Sequence, residues 1–209
     1  MIRVALVDGP LIVAQFAHGA AAHFCASDGT PHAAAHAAAM AATIAHHASE
    51  VEFVSAAVFP GRLATSVTIL SAALDWLLQD PPEIVHCSFG LARPAQELCA
   101  RIAQLQEAGS VVVASAAARG EPVYPAGFPE VLSVQGDARC APDALSDLRL
   151  PHARFGACPI ASAGDIRGAS AAAAHLTGLL AAHWPGDASK ALDALAPLVR
   201  FHGRERRTS

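Results

Sequence analysis

Much of what would place this chain in a familiar functional class is missing from its sequence. No apolar run reaches the roughly 18 residues of a membrane-spanning helix, which argues against membrane insertion. There is no basic excess: the net charge is −4 and only 15% of residues are charged, so nucleic acid is not an expected partner. Neither G-x-G-x-x-G nor G-x-x-x-x-G-K-[ST] occurs, and no nucleotide or other cofactor is expected. His32 and His36 lie four apart on a presumed helix and share a face. No Glu follows His32 in the H-E-x-x-H manner and no third ligand is evident, so no metal is expected. The five cysteines (Cys25, Cys87, Cys99, Cys140, Cys158) are odd in number, scattered, and never in C-x-x-C spacing. That pattern supports neither a disulfide framework nor a zinc knuckle, and reads as ordinary thiols. The opening residues MIRVALVDGP form a short apolar run ending at Asp8, without the charged-then-apolar leader of a secreted chain. The expectation is a cytoplasmic protein. No internal repeat is visible, and the one strong bias is towards alanine.

What is present is apolar. At 209 residues and 53% hydrophobic content, the chain can build one large core, and a single domain over 1–200 with a basic polar tail at 201–209 is expected. Short apolar runs at 3–7, 51–58, 83–87, 109–115 and 131–134 read as buried strands. Helical stretches at 31–49, 64–78, 94–108, 169–184 and 188–200 fall between or after them. Strands alternating with helices predict an α/β fold: a mostly parallel sheet in a three-layer arrangement, with helices on both faces. Glycine and proline concentrate between residues 119 and 168, where regular structure is hardest to assign. His46 and His47 fall at a helix end, where positive charge is favoured.

In such a sheet, ligands bind beyond the carboxyl ends of the strands. Asp8 ends the first strand, Ser88 follows EIVHC, Ser170 opens a helix, and His36 lies near the start of another. An acid, an imidazole and a hydroxyl at element ends are the parts of a nucleophilic triad. Taken alone, such a serine is usually a cap, such an aspartate a turn or cap residue, and one histidine among eleven a surface or core residue.

The order of the sequence blocks is more specific. VALVDG, HAAAMAATIA (36–45), PEIVHCSFG (82–90), SVVVASAAARG (110–120), YPAGFPEVLSV (124–134) and GASAAAAHLTG (168–178) resemble the blocks of the subtilisin-like serine proteases, over most of the chain. The order aspartate, histidine, serine is also that family's, and differs from the chymotrypsin and α/β-hydrolase orders. Against the family pattern Gly-Thr-Ser-Met-Ala-Ala-Pro-His, the residues Gly168, Ser170, Ala172, Ala173 and His175 match, while alanines replace Thr, Met and Pro. Placing His36 first in the family's His-Gly-Thr-His-Val-Ala-Gly block sets Ala41, Thr43 and Ile44 on family positions, which placing His32 first does not.

The resemblance implies a serine endopeptidase in which Asp8, His36 and Ser170 form the catalytic triad. It implies that Ser88, Phe89 and Gly90 pair with substrate backbone as an added strand. Ala114, Ser115 and Ala116 match the opposite wall of the primary specificity pocket, and Val123 lies near its floor. The family's oxyanion asparagine is replaced by Ala118. Losing that donor costs a subtilisin roughly 10²–10³ in kcat, about 3–4 kcal/mol, which slows a protease without abolishing it. The Ser170 N–H remains as an oxyanion donor, and the adjacent Arg119 is a candidate substitute. Small bacterial members of this family remove leader peptides from modified peptides or small subunits, as in maturation of the quinohemoprotein amine dehydrogenase γ subunit. By size and family analogy, the expected partner is a peptide or protein precursor, modified or held in a processing complex. The rival expectation is a pseudoprotease that binds a peptide without cutting it.

Overall fold

The apolar runs become strands covered on both faces. In β1 (Ile2–Asp8), the buried side chains alternate: Val4 and Leu6 face one helical layer, Ala5 and Val7 the other. β5 (Val111–Ser115) repeats this, with Val111 and Val113 opposite Val112 and Ala114. Burial on both faces is why these strands read as continuous Val, Leu and Ala rather than as alternating polar and apolar residues. The computed structural model describes residues 1–12, 16 and 18–204. Most of the basic tail, residues 205–209, lies outside the described residues.

The remaining strands are β2 (His18–His23), β3 (Val51–Ala57), β4 (Ile84–Cys87), β6 (Leu132–Gly136), β7 (Leu145–Leu150), β8 (Ala153–Ala157) and β9 (Val199–His202). Among the described residues they form one nine-stranded sheet in the order β2-β3-β1-β4-β5-β6-β8-β7-β9. Every neighbouring pair is parallel except β7 with β8. Helices α1 (His32–His47) and α4 (Ala169–Ala182) cover one face; α2 (Val67–Leu77) and α3 (Gln96–Glu107) cover the other. The expected three-layer α/β architecture is therefore present.

Alanine sets the spacing within one helical layer. α1 and α4 pack on each other, and α4 buries Ala171, Ala172, Ala173 and Ala174 completely. A Cβ added at Gly178 would lie 2.7 Å from the Ile44 carbonyl oxygen, so backbone meets backbone there. Larger side chains would push the two helices apart.

Four strands escape the sequence reading. The residues of β2, HGAAAH, carry little apolar bulk, and the strand forms by pairing with the edge of β3. β7 and β8 form an antiparallel hairpin inside the region rich in Gly and Pro. The helix expected over 188–200 is broken. A 3₁₀ turn (Ala188–Lys190), the short α5 (Ala191–Leu195) and a second 3₁₀ turn (Ala196–Leu198) lead into β9. Pro197 lacks an N–H for continued helix, and the following Val-Arg-Phe-His pairs with β7. β9 also crosses the domain boundary drawn between residues 200 and 201.

The end of α1 corrects another expectation. His47 Nε2 lies 2.8 Å from His175 Nδ1, and His175 Nε2 lies 2.8 Å from the Ile160 carbonyl oxygen. A carbonyl only accepts, so His175 donates from Nε2; with burial lowering its pKa the ring is neutral, which leaves Nδ1 to accept from the N–H of His47. Burial pushes the His47 pKa from 6.5 to about 4 and lowers that of His175. His47 therefore carries no charge at the helix end near neutral pH. A histidine with a depressed folded pKa takes up its proton first in the unfolded chain, so stability falls as pH drops below 6.5 towards about 4. Urea denaturation at pH 7 and pH 4.5 should show a clear loss of unfolding free energy, reduced in His47→Gln; equal midpoints at both pH values would contradict this assignment.

Candidate active site

Two adjacent parallel strands bring the site together. β1 and β4 pair with Val7 opposite Cys87. Asp8 and Ser88 therefore reach the carboxyl edge side by side, about one strand spacing (~4.8 Å) apart. This is the edge at which open parallel sheets bind ligands.

Asp8 is fully buried and must be compensated there. Its Oδ1 accepts from the Gly9 N–H at 2.7 Å, and His36 Nδ1 lies 2.9 Å from both carboxylate oxygens. That pairing fixes the imidazole: Nδ1 carries the proton, and Nε2 is left to accept. Among the described residues Nε2 makes no hydrogen bond. His36 sits on the second turn of α1 and is itself buried, while His32, one turn earlier, is exposed. Gly9 allows this contact. A Cβ there would clash with the Ala33 carbonyl in the first turn of α1.

Ser170 is the second residue of α4 and is half-buried. Its Oγ donates to the Ser88 carbonyl at 3.4 Å. No hydrogen bond joins it to His36 among the described residues. The serine is not the cap: Gly168, with φ of +106°, occupies the N-cap position, and no side chain caps the helix. A left-handed φ of this kind is one that glycine accepts without strain. The first helical bond runs from Ala172 N–H to the Gly168 carbonyl, so the Ser170 N–H has no intrahelical acceptor and is free for an anion.

The segments expected to bind substrate adjoin one another. Ser88 is buried, Phe89 half-buried and Gly90 exposed. Leu91 exchanges two backbone hydrogen bonds with Tyr124, at 2.7 and 2.9 Å. This brings Val123 against Gly90, where an added Cβ would lie 2.7 Å from a Val123 methyl. Ser115 Oγ donates to the Phe89 carbonyl at 3.5 Å. Ala114 and Ala116 are packed into the core beneath α2 and α3, and of the three residues expected to line a pocket wall Ser115 is the one whose side chain reaches the Ser88–Gly90 segment. Ala118 and Arg119 are exposed and border an open cleft with Gly136, Asp137, Leu148 and Arg204. Arg119 makes no ion pair among the described residues, and nothing holds it on Ser170.

Sequence reasoning missed His86, in the middle of β4. It is fully buried, with Nδ1 2.9 Å from Thr177 Oγ1 and Nε2 2.5 Å from Ser88 Oγ. Burial, with a smaller contribution from nearby His36, pushes its pKa down to about 3, so it stays neutral. A histidine inside an otherwise apolar strand, two residues before a site serine, was the available signal.

The fold that holds these residues is that of the subtilisin-like proteases. Sphericase superposes with a TM-score of 0.67 at 14% sequence identity, covering 93% of this chain and 81% of its own. The prenylagaramide maturation protease PagA superposes with a TM-score of 0.59 at 20% identity, covering 87% of this chain and 74% of its own. At these identities the likeness is one of fold. No family model matches the chain, and no curated protein matches it by sequence.

The tight join between Asp8 and α1 has a measurable consequence. Gly9→Ala should destabilise by about 1–3 kcal/mol, the usual effect of overpacking. Thermal unfolding should show a Tm lower by several degrees, at about 2–4 °C per kcal/mol for a domain of this size. An unchanged Tm would mean that the strand end and α1 do not meet as described.

Proposed function

We propose that this chain is a serine endopeptidase in which Ser170 is the nucleophile, His36 the general base and acid, and Asp8 the group that orients His36. The observation that carries this reading is the buried Asp8–His36 pair, with both carboxylate oxygens 2.9 Å from Nδ1 and Nε2 unengaged at the edge that also holds Ser170. In this reading Ser170 turns from the Ser88 carbonyl towards Nε2 as substrate binds. Catalytic hydrogen bonds are commonly long or misaligned before substrate is present. Ser170 Oγ then attacks the scissile carbonyl as His36 takes its proton. His36 returns a proton to the leaving amine, and water repeats the sequence on the acyl-enzyme. Substrate backbone lies along Ser88–Gly90 as an added strand, with Val123 limiting the side chain that fits beside it.

The oxyanion would rest on the Ser170 N–H. Ala118 offers no side-chain donor, and Arg119 is the nearest cation in sequence able to take that part. A weakened oxyanion hole suits a dedicated processing step better than bulk digestion. The likeness to a maturation protease, PagA, is consistent with that choice. We therefore favour removal of a leader peptide from a protein or modified-peptide precursor, of the kind represented by the quinohemoprotein amine dehydrogenase γ subunit. The free thiols suit a reducing, cytoplasmic setting. Among the described residues, no helix is long and apolar enough to cross a membrane.

Ala118 and the lack of a Ser170–His36 hydrogen bond favour one other reading, a peptide-binding scaffold without activity. Fluorophosphonate labelling separates the two. Wild type should label at a single site, and Ser170→Ala should not label at all. Absence of labelling in folded wild type, with candidate precursor peptide present, would favour the scaffold. Ala118→Asn should raise kcat on a cleaved peptide by about tenfold or more, since one oxyanion donor is worth roughly 10²–10³ when well placed. An unchanged kcat would mean that another group already fills that position.

A further inference from the structure

The buried histidine beneath the site has a place in the geometry that neither the triad nor the oxyanion hole uses. His86 bridges two elements that must keep a fixed distance. On one side its Nε2 meets Ser88 Oγ at 2.5 Å; on the other its Nδ1 meets Thr177 Oγ1 at 2.9 Å. Thr177 lies on α4 seven residues after Ser170, two helical turns along the same face. The same helix and the same strand end meet a second time where Ser170 Oγ donates to the Ser88 carbonyl. The imidazole and the Ser170 contact are therefore two rungs between α4 and Ser88. If the lower rung is lost, the distance that sets the upper one is no longer held.

We propose that His86 is a positioning residue for Ser170, acting through Ser88 and Thr177 without touching substrate. Its chemistry suits the part. Both partners are hydroxyls, which donate or accept, so either neutral tautomer satisfies the ring fully. The site is dry enough to keep the ring uncharged. A neutral ring does not oppose the positive charge that His36 acquires during proton transfer, whereas a cation in the same place would. An aliphatic side chain would fill the space but leave two buried hydroxyls unpaired, and would tie nothing together.

This inference rests on the reading of Ser170 as the nucleophile, and the test separates the two. Fluorophosphonate labelling rates are measured per folded molecule for wild type, His86→Leu, His86→Gln, His86→Asn, Ser88→Ala and His86→Leu/Ser88→Ala. Urea denaturation of each variant gives the folded fraction. Gln places a polar atom near Nε2, whereas Asn places one near Nδ1. His86→Leu is expected to label at least tenfold more slowly, His86→Gln to recover most of the rate, and His86→Asn to recover little of it. Ser88→Ala should reproduce the loss, and the double variant should lose little more than either single variant, because the two act as one unit. If His86→Leu is only less stable, with its labelling rate per folded molecule unchanged, the positioning role is overturned while the protease reading stands. Additive losses, or equal recovery by Gln and Asn, would overturn it as well. If wild type itself does not label, the protease reading falls and takes this inference with it.

Discussion

The buried pairing of Asp8 with His36 is the interaction around which the rest of the molecule is arranged. A carboxylate without solvent exposure is costly unless its oxygens are satisfied. Here the Gly9 N–H and His36 Nδ1 do that, and in doing so they fix which nitrogen of the imidazole is free. The pairing exists only if the end of β1 and the second turn of α1 come very close. Gly9 makes that approach possible, because a methyl group there would meet the backbone of α1. The position of α1 depends in turn on how it packs against α4.

Small residues and histidines share the work of holding α4. α4 is buried all round, and its small residues, with Gly178 against Ile44, let the two helices approach to backbone contact. Histidines then supply polar links where the alanines supply none. His86 connects Thr177 on α4 to Ser88 at the end of β4. His175 on α4 connects to His47 on α1 and to the Ile160 carbonyl. Helix, strand and neighbouring helix are thus linked through the middle of α4, one to two turns beyond Ser170. These rings are neutral because they are buried, and neutrality is what lets each of them accept as well as donate.

Three-layer order was legible because strands covered on both faces read as unbroken apolar runs, and helices between them keep their own period. Asp8, His36, Ser170 and Ser88 were legible because they sit in blocks whose order resembles a known family. The hairpin of β7 and β8 was not, since its strands alternate weakly and lie among glycines and prolines. β9 was hidden within a helical expectation that Pro197 interrupts. That Ala114 and Ala116 pack into the core while Ser115 reaches the Phe89 carbonyl was not legible, because position along the chain does not say which way a side chain turns. His86 lay in view within EIVHC, but a lone histidine on an apolar strand has no partner until the helix crossing it is known.

By itself the sequence determined the alternation of strands and helices, the two-sided burial of the sheet, and the residue types at the ends of its elements. Those properties follow from local periodicity and composition, which each segment carries independently of the others. Tertiary structure alone decided which polar groups meet: Asp8 with His36, Ser170 with Ser88, His86 with Thr177, and His47 with His175. Each of these pairs joins residues from different elements, apart in sequence by 28 to 128 positions. Their hydrogen bonds depend on ångström-scale helix-to-sheet distances, which are set by the summed packing of the whole core and are not written in any one segment.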